Sequence, residues 1–438
     1  AALKADCCDI YTDVDGVYST DPRVVPEARR VERISYDEML ELASLGAGVM
    51  HSRSIEFAKK FGVTVHVRSS FSDNPGTIIG PNPESPHVPV CGVALAKEEA
   101  RFTVIGVPDR PGVAMELFSR IAEAKIPTDM IAQNISSAGK TDISFTVPGD
   151  DFAAAREIIT KTIQEIGAEG LESEEKVSKV SVVGLGMENQ TGVAQKMFHA
   201  LSKKGINISM ITTSDIKISA LVARADGVTA LRAVHEAFEL NLSPEERTPV
   251  QPISADQSQA ASENEERSLV PGEFVSRLTG MEEILIEEIA LDQQEMRFTL
   301  SDVPDRPGLA AAMFDRIAEK KISVDLIVQS VGRGNLANIS FTVARSDAAV
   351  VAELMNELSR EYKAQSLNNP TVAKLTIRGT GLRSHTGLVC RMFKTLSENG
   401  INVSIICTSE RNINVIVDES NGENGFQSLN AEFAEEIL

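Results

Sequence analysis

The hexapeptide VPDRPG carries the first residues that point to binding chemistry, because it occurs twice, at 107–112 and at 303–308. Pro111 has the fixed backbone angle that suits the first residue of a helix, and the first amides of that helix would face the loop and attract an anion. Asp109 and Asp129 place negative charge on the other side of the same loop. We therefore predict a site for a free amino acid, with its carboxylate at the helix and its ammonium at an aspartate.

A purely structural explanation covers the same residues one at a time. An aspartate in front of a helix most often caps it, which applies to Asp109 and Asp305. Asn207 and Asn402 each follow a Gly-Ile pair, where a turn alone accounts for them. The joint recurrence of these residues favours ligand sites over separate caps and turns.

A second acidic segment, YTDVDGVYSTDPR, lies near the start of the chain at 11–23. We predict that Asp13 and Asp15 lie at the mouth of a sheet, where ligands of α/β folds bind, and that Gly16 permits a sharp turn. An acidic turn held by side-chain hydrogen bonds explains these residue types equally well.

The elements that would position these residues belong to a duplicated block. Residues 93–112 match residues 289–308, and DISFTV at 142–147 matches NISFTV at 338–343. Further on, TGVAQKMF matches TGLVCRMF. A block of about two hundred residues is therefore present twice.

Each block is itself double. Four segments have apolar residues at positions i, i+4, i+5 and i+8 after a glycine, which is the stripe of a helix that buries one face. The four stripes are Val113, Leu117, Phe118, Ile121; Val193, Met197, Phe198, Leu201; Leu309, Met313, Phe314, Ile317; and Leu388, Met392, Phe393, Leu396. The order strand, helix, strand, strand, helix around each stripe predicts a small α+β sandwich with helices on one face of an antiparallel sheet.

These patterns divide the chain into six parts. Residues 1–80 have the pattern of α/β layers, with a capping box at Ser35 and Glu38. The predicted parts are the α/β segment 1–80, module 1 at 89–172, module 2 at 173–242, a flexible Ser-, Gln- and Glu-rich linker at 243–283, module 3 at 284–367 and module 4 at 368–438.

Composition narrows the class of partner. The 438 residues carry a formal net charge of −20. Nucleic acids and anionic membranes attract clustered Lys and Arg, so neither is an expected partner, and no apolar run approaches the roughly 20 residues that cross a bilayer. Five scattered cysteines predict reduced thiols and a cytoplasmic location. The opening at Ala1, without Met or signal peptide, indicates a chain that begins inside a domain.

The ordered motifs resemble the aspartate kinase family. They are TDVDGVYSTDPR at 12–23, LGAGVMHSRSIEFAKKFGVTVHVRSSFSDNPGT at 45–77, and tandem modules with VPDRPG and QNIS. The resemblance covers essentially the whole chain. It implies an α/β segment from the C-terminal half of an amino-acid kinase fold, followed by four ACT domains, which are α+β, ferredoxin-like βαββαβ modules.

The resemblance implies an enzyme that transfers the γ-phosphoryl group of ATP to the β-carboxylate of L-aspartate, with ATP and Mg²⁺ as cofactors. Its nucleotide contacts would be Thr12, Asp13, Tyr18, Asp21, Pro22 and Arg23. The chain departs from many relatives at Gly48, where they have a nucleotide-contacting lysine, and at Ser52, where they have proline. The family's KFGG lysine motif and its aspartate-binding GRGGSD segment are missing, so we expect no catalytic residue and no turnover by the chain alone.

The resemblance also implies L-lysine and L-threonine as feedback effectors, bound where two ACT domains meet. In the first block the predicted contacts are Asp109, Ala114, Asp129, Gln133 and Ser136 of module 1, with Asn207, Ile208, Ser214 and Asp215 of module 2. In the second block they are Asp305, Ala310, Asp325 and Gln329 of module 3, with Asn402, Val403, Ser409 and Glu410 of module 4. Because isologous sheet-edge contacts readily make dimers, we expect at least a homodimer.

Two other functions remain open. A non-catalytic amino-acid-sensing subunit of such a kinase fits a chain without the lysine motif. A kinase for another small acid, such as glutamate, fits the first segment, although the sensing modules argue against it. The glycine runs at 184–192 and 379–387 lack the third glycine of a dinucleotide-binding loop, so we exclude a fused dehydrogenase. The six histidines show no metal-binding spacing.

Overall fold

The computed structural model describes residues 5–46, 48–85, 88–135, 140–249, 285–332, 334, 336–369, 371–382 and 386–437. Both predicted fold classes are present: a first segment with an α/β layer, then four α+β modules. No helix in these ranges combines the length and the hydropathy that a bilayer span needs.

The first segment is a four-stranded sheet with two helices. Its elements are β1 (Cys7–Thr12), β2 (Arg33–Ser35), α1 (Tyr36–Ser44), α2 (Ser52–Lys60), β3 (Thr64–Ser69) and β4 (Thr77–Gly80), in the sheet order β1-β3-β4-β2. Helix α1 begins at the predicted capping box, in which Ser35 Oγ accepts the Glu38 amide and the Glu38 carboxylate accepts the Ser35 amide. Met39 and Leu40 are then buried in the core of this segment.

The two blocks repeat one series of elements. The first comprises β5 (Gly92–Pro108), α3 (Val113–Glu123), β6 (Asp129–Ile135), β7 (Lys140–Pro148), α4 (Phe152–Ile166), β8 (Gly170–Val183), α5 (Val193–Lys203), β9 (Met210–Ser214), β10 (Lys217–Ala223) and α6 (Gly227–Ala237). The second comprises β11 (Leu285–Asp292), β12 (Glu295–Pro304), α7 (Leu309–Glu319), β13 (Ile327–Val331), β14 (Leu336–Ala344), α8 (Ala348–Tyr362), β15 (Gln365–Asn369), β16 (Val372–Thr380), α9 (Thr386–Glu398), β17 (Ile405–Thr408), β18 (Asn412–Asp418) and α10 (Glu419–Glu432). The predicted apolar stripes are the buried faces of α3, α5, α7 and α9.

The modules of a block exchange strands. Strands β5 and β8 pair along their whole length, so the start of β5 extends the sheet of module 2 while its end lies in the sheet of module 1. In the second block β11 pairs with β16 of module 4, although residues 285–292 fall inside the sequence range assigned to module 3. Ile286 and Ile289 bury their side chains in the core that contains Leu375, which explains this placement. The contiguous boundaries drawn from the sequence therefore do not follow the sheets.

The four modules pair across the two blocks. Strand β9 of module 2 pairs with β13 of module 3, which joins their sheets. The rings of Phe198 on α5 and Phe314 on α7 lie 5.5 Å apart, so the two helices also pack on each other. Modules 1 and 4 share a separate core, in which the Phe118 and Phe393 rings are 6.2 Å apart. The sequence left open whether modules pair within a chain, between chains or both, and the structure shows pairing within the chain, of 1 with 4 and 2 with 3.

Candidate functional site

Each VPDRPG loop faces a module of the other block. Asp109 Oδ1 of module 1 accepts a hydrogen bond of 2.6 Å from Asn402 Nδ2 of module 4. Gln133, on β6, donates from Nε2 to the backbone carbonyl of Val403 at 2.8 Å. These bonds cross a cleft between the start of α3 and the start of β17, which we call cleft 1/4.

The same contacts recur between modules 3 and 2. Asn207 Nδ2 donates to Asp305 Oδ2 at 2.9 Å, and Gln329 Nε2 donates to the carbonyl of Ile208 at 2.8 Å. We call this place cleft 2/3. Burial raises the pKa of Asp305, and the bond from Asn207 offsets part of that rise.

The predicted pairing of effector residues within a block is wrong. Asp109 was expected to face Asn207, and Asp305 to face Asn402, but each aspartate bonds to the asparagine of the other block. The cause is the continuous β5 and β8 pair, which joins modules 1 and 2 end to end. Helix α3 is then left to pack on α9 of module 4.

Cleft 1/4 is narrow. Its volume is about 20 Å³, which is room for little more than one water molecule. Its lining includes Pro108, Asp109, Arg110, Ala114, Gln133, Phe393, Asn402 and Val403. A free amino acid therefore requires the VPDRPG loop to move away from module 4. Ala310, the counterpart of Ala114 in module 3, is buried in the core shared by modules 2 and 3.

In both clefts a glycine allows the VPDRPG loop to lie in close contact with the facing module. Gly112 is the N-cap of α3 and has φ of 92°, a left-handed conformation that favours glycine. A Cβ atom there would lie 2.5 Å from Ser397 Oγ of module 4. Gly308 repeats this with φ of 89°, and its Cβ would lie 2.9 Å from Ser202 Oγ of module 2. Pro111 therefore precedes the cap and is not the first helical residue, because the left-handed glycine turns the chain just after it.

The second aspartate of each predicted set does not reach a cleft. Asp129 is buried and forms an ion pair with Lys179, which also pairs with Glu99 at 2.9 Å. In the second block Asp325 forms the same pair with Lys374. Burial alone would lower the pKa of Lys374, but the carboxylates of Asp325 and Glu295 outweigh burial and raise it. Internal lysines thus hold the position predicted for the effector ammonium.

The remaining predicted contacts lie at hairpin turns beside the first segment. Asp215 follows β9 and bonds to Asn412 Nδ2 across the two turns. The amide of Glu410 donates to Glu41 Oε1 of α1 at 2.7 Å, and Ser214, before Asp215, is buried. Ser409 Oγ accepts the Asn412 amide at 2.9 Å, which holds its own turn together. Ser136 lies outside the described residues.

Modules 1 and 4 also form a second cleft, of about 30 Å³, lined by Ile126, Thr128, Val389, Cys390, Thr408 and Ser409 among others. At the positions equivalent to Asn402 and Gln133 it has Pro127 and Thr408. The polar pairs that cross cleft 1/4 are therefore not repeated here. The sequence carries a signal of this asymmetry that the predictions did not use, because Pro127 follows Ile126 where Asn402 follows Ile401.

The predicted nucleotide contacts lie after β1. Thr12 Oγ1 donates to Asp13 Oδ1 at 3.0 Å, and the Tyr18 hydroxyl donates to Asp15 Oδ1 at 2.8 Å. Arg23, with 88% of its side chain exposed, pairs with Asp21 at 2.9 Å. This bond lowers the pKa of Asp21.

These residues fit part of a nucleotide site. Pro22 is exposed beside Arg23, so the guanidinium is accessible to phosphate groups. Within the described residues no three His, Cys, Asp or Glu side chains converge as a metal site would require. Magnesium in phosphoryl-transfer sites is usually bound through one or two carboxylates and the substrate phosphates, for which Asp13 is a suitable carboxylate.

Comparison with known families agrees with this division. A model described as "Amino acid kinase family" matches residues 1–69. Models described as "ACT domain" match residues 102–163, 180–238 and 375–433 and residues 298–361. The four matches fall on modules 1 to 4.

Curated proteins similar to this chain include aspartate kinases of two bacteria. An aspartate kinase of Pseudomonas putida is 49% identical over 243 residues, which are 55% of this chain and 59% of that protein. An aspartokinase of Corynebacterium glutamicum is 45% identical over 247 residues, or 55% of this chain and 58% of that protein. The matches thus span about 59% of the length of these curated relatives.

A solved structure extends the likeness to the whole chain. The crystal structure of aspartate kinase from Synechocystis has a TM-score of 0.70 and 34% sequence identity, and the match covers 100% of this chain and 72% of that one. Together with the kinase segment and the four ACT domains, this likeness shows that the chain belongs to the aspartate kinase family.

Proposed function

We propose that this chain is the regulatory part, with the end of the kinase domain, of an enzyme that transfers the γ-phosphoryl group of ATP to the β-carboxylate of L-aspartate. ATP and Mg²⁺ are its cofactors. Free amino acids, L-lysine and L-threonine, inhibit it by binding in clefts 1/4 and 2/3. The duplicated Asp–Asn and Gln–carbonyl contacts are the observation that carries the proposal.

The chemistry of the clefts matches a zwitterion. Each cleft offers acceptors for an ammonium group, such as the Asp109 carboxylate and the Val403 carbonyl. Each also offers amide donors for a carboxylate, from Asn402 and Gln133. In the closed cleft the Asp–Asn and Gln–carbonyl groups pair with each other. Among the described residues, the buried Oε1 atoms of Gln133 and Gln329 have no hydrogen-bond partner, so an entering ammonium group can bond to an acceptor that the closed cleft leaves unsatisfied.

Calorimetry with lysine and with threonine tests the sensing part. We expect two binding sites in the chain. Asp109→Asn should weaken binding at cleft 1/4 and Asp305→Asn at cleft 2/3, each by about tenfold or more, because a charge-assisted hydrogen bond is lost. Asp150→Asn, at an exposed position of module 1, is the matched control. Absence of binding by either amino acid would contradict the proposal.

Catalysis is tested on the complete gene product, by ATP-dependent phosphorylation of aspartate with glutamate as the competing acid. We expect aspartate to be preferred, and Arg23→Ala to raise KM for ATP because the exposed guanidinium no longer meets the phosphates. Equal use of glutamate would refute the substrate assignment.

A non-catalytic sensing subunit is the second candidate. It is favoured by the four ACT-domain matches, at 102–163, 180–238, 298–361 and 375–433, which make up most of the chain. Effector binding without any phosphoryl transfer by the complete gene product would establish it.

We also propose that the protein assembles at least as a homodimer, through sheet edges or helix faces left free by the crossed pairs. Light scattering at micromolar concentration tests this. A mass of one chain would refute it.

A further inference from the structure

Helix α1 of the kinase segment touches both crossed module pairs at one side chain, Glu41. This residue is fully buried. Its Oε2 pairs with Lys217 Nζ of module 2 at 2.9 Å, and its Oε1 accepts the backbone amide of Glu410 of module 4 at 2.7 Å.

The Lys217 and Glu410 contacts lie at hairpin turns. Each turn follows a strand whose other end lies beside one of the two clefts. Strand β17 runs from the Asn402–Val403 side of cleft 1/4 to the turn that contains Glu410. Strand β9 runs from the Asn207–Ile208 side of cleft 2/3 to the turn before Lys217. At about 3.3 Å per residue, each path spans roughly 20 Å.

Both paths are stiff. Strand β17 is hydrogen-bonded to β18, and β9 is bonded on both sides, to β10 and to β13. A shift of one strand along its own axis would break its ladder hydrogen bonds, so each strand moves together with its sheet and carries its turn with it. The two turns also contact each other, because Asp215 bonds to Asn412 and lies 3.8 Å from Arg378.

The end of each path is fixed to α1 and α1 is fixed to the rest of the kinase segment. Glu38, one turn before Glu41, accepts the Leu185 amide of module 2 at 3.1 Å. Asp37 pairs with Lys59 of α2 at 2.8 Å, and Lys59 in turn pairs with Glu287 of β11 at 2.8 Å. A displacement of either turn therefore changes the environment of the helix.

We propose that Glu41 is the positioning residue through which clefts 1/4 and 2/3 both act on the kinase segment, an inference that rests on the proposed binding of amino acids in these clefts. When an amino acid opens a cleft, the strand that leads from it moves its turn, and the buried Glu41 carboxylate transfers that movement to α1. The Lys217 ion pair serves cleft 2/3 and the Glu410 amide serves cleft 1/4. The Glu41 side chain thus responds to amino-acid binding in either cleft.

Hydrogen exchange with mass spectrometry on the 438-residue chain tests this. In the wild type, saturating lysine or threonine should change exchange by at least twofold both at residues 107–113 or 303–309, in the clefts, and at residues 36–44, in α1. In Glu41→Met, which has no acceptor for the Glu410 amide and no charge for Lys217, the change at the clefts should remain and the change at α1 should be lost. Glu32→Met, at an exposed position of the same segment, should behave as the wild type.

Calorimetry on the same samples separates this proposal from the proposed function. Binding to Glu41→Met within about threefold of the wild type, with no response at α1, supports the relay. An unchanged response at α1 in Glu41→Met overturns it. Absence of amino-acid binding in the wild type overturns the proposed function, and the relay with it.

Loss of the Glu41 charge leaves Lys217 in a buried position without its carboxylate, so the variant has a risk of misfolding. The double variant Glu41→Met/Lys217→Met removes both charges and the acceptor for the Glu410 amide, with side chains of similar length. Its α1 helix should also lack the response. In the double variant Asp109→Asn/Lys217→Met, binding at cleft 1/4 is weakened, so the response at α1 reports on cleft 2/3. A response at α1 that persists in this variant overturns the role given to the Glu41–Lys217 ion pair.

Discussion

Asp109 accepts its hydrogen bond from Asn402, which lies 293 residues further along the chain. The asparagine of its own block, Asn207, bonds instead to Asp305. The duplication therefore did not produce two independent blocks placed in series. Each cleft is assembled from one half of each block, so neither block contains a complete cleft.

The first prediction is a pattern of energetic coupling. In double-mutant cycles with Asp109→Ala, Asn402→Ala should couple by about 0.5–3 kcal/mol, because the two side chains are in direct contact. Asn207→Ala should couple with Asp109→Ala by no more than about 0.5 kcal/mol. The free energy of unfolding in urea is the measurement. Coupling of Asp109 to Asn207 in place of Asn402 would disprove the crossed arrangement.

The second prediction concerns the glycine that closes cleft 1/4. Gly112→Ala should lower the free energy of unfolding by about 1–2 kcal/mol, since an L-residue is forced into a left-handed conformation. Removing the Ser397 hydroxyl in Gly112→Ala/Ser397→Ala should restore only the part caused by close approach. Gly170→Ala is the matched control, because it has no left-handed φ and nothing lies within 4 Å of its added Cβ. A Gly112→Ala protein as stable as the Gly170→Ala protein would contradict the argument.

The third prediction tests the internal lysine of the first block. Lys179, with 1% of its side chain exposed, pairs with Asp129 and Glu99. Lys179→Met should destabilise the chain by about 3–5 kcal/mol, because it leaves two carboxylates buried without a cation. Lys161→Met, where the side chain is 72% exposed and pairs with Glu157, should cost less than about 1 kcal/mol. A small effect at Lys179 would show that the carboxylates find other partners.

The local elements could be predicted from the sequence and the arrangement of modules could not. The apolar stripe of Val113, Leu117, Phe118 and Ile121 predicts a helix with one buried face, and that face is buried in the structure. The capping box at Ser35 is equally local. Periodicity reports on a residue and its near neighbours in the chain, which is why these predictions are confirmed.

Which modules pair depends on contacts between residues far apart in the chain, and the periodicity of apolar residues does not report on such contacts. The length of β5, 17 residues, decides that modules 1 and 2 are joined end to end. Asp129 has the residue type expected for an ammonium site, but its partner Lys179 lies 50 residues away, beyond the reach of any local pattern. The repeat itself was a signal, since Lys374 stands in the same relation to Asp325.

The last prediction concerns the pH dependence of stability and follows from the carboxyl group of Glu295, which lies near Lys374. Burial and the neighbouring Asp325 raise the pKa of Glu295 from 4.5 to about 7. The folded protein therefore keeps this proton between about pH 4.5 and 7, whereas the unfolded chain has lost it. Because the folded state binds more protons in this window, Glu295 makes the free energy of unfolding fall as the pH rises through it.

Glu295→Gln removes that dependence. At pH 4 the variant and the wild type should be equally stable, and at pH 8 the variant should be more stable by at most about 3 kcal/mol, at 1.36 kcal/mol for each pKa unit. Urea unfolding at several pH values measures the difference, and Glu175→Gln, at an exposed position, should show none. A Glu295→Gln protein that is less stable than the wild type at pH 8 would mean that the ionised carboxylate is needed by Lys374, and that the proton is lost well below neutrality.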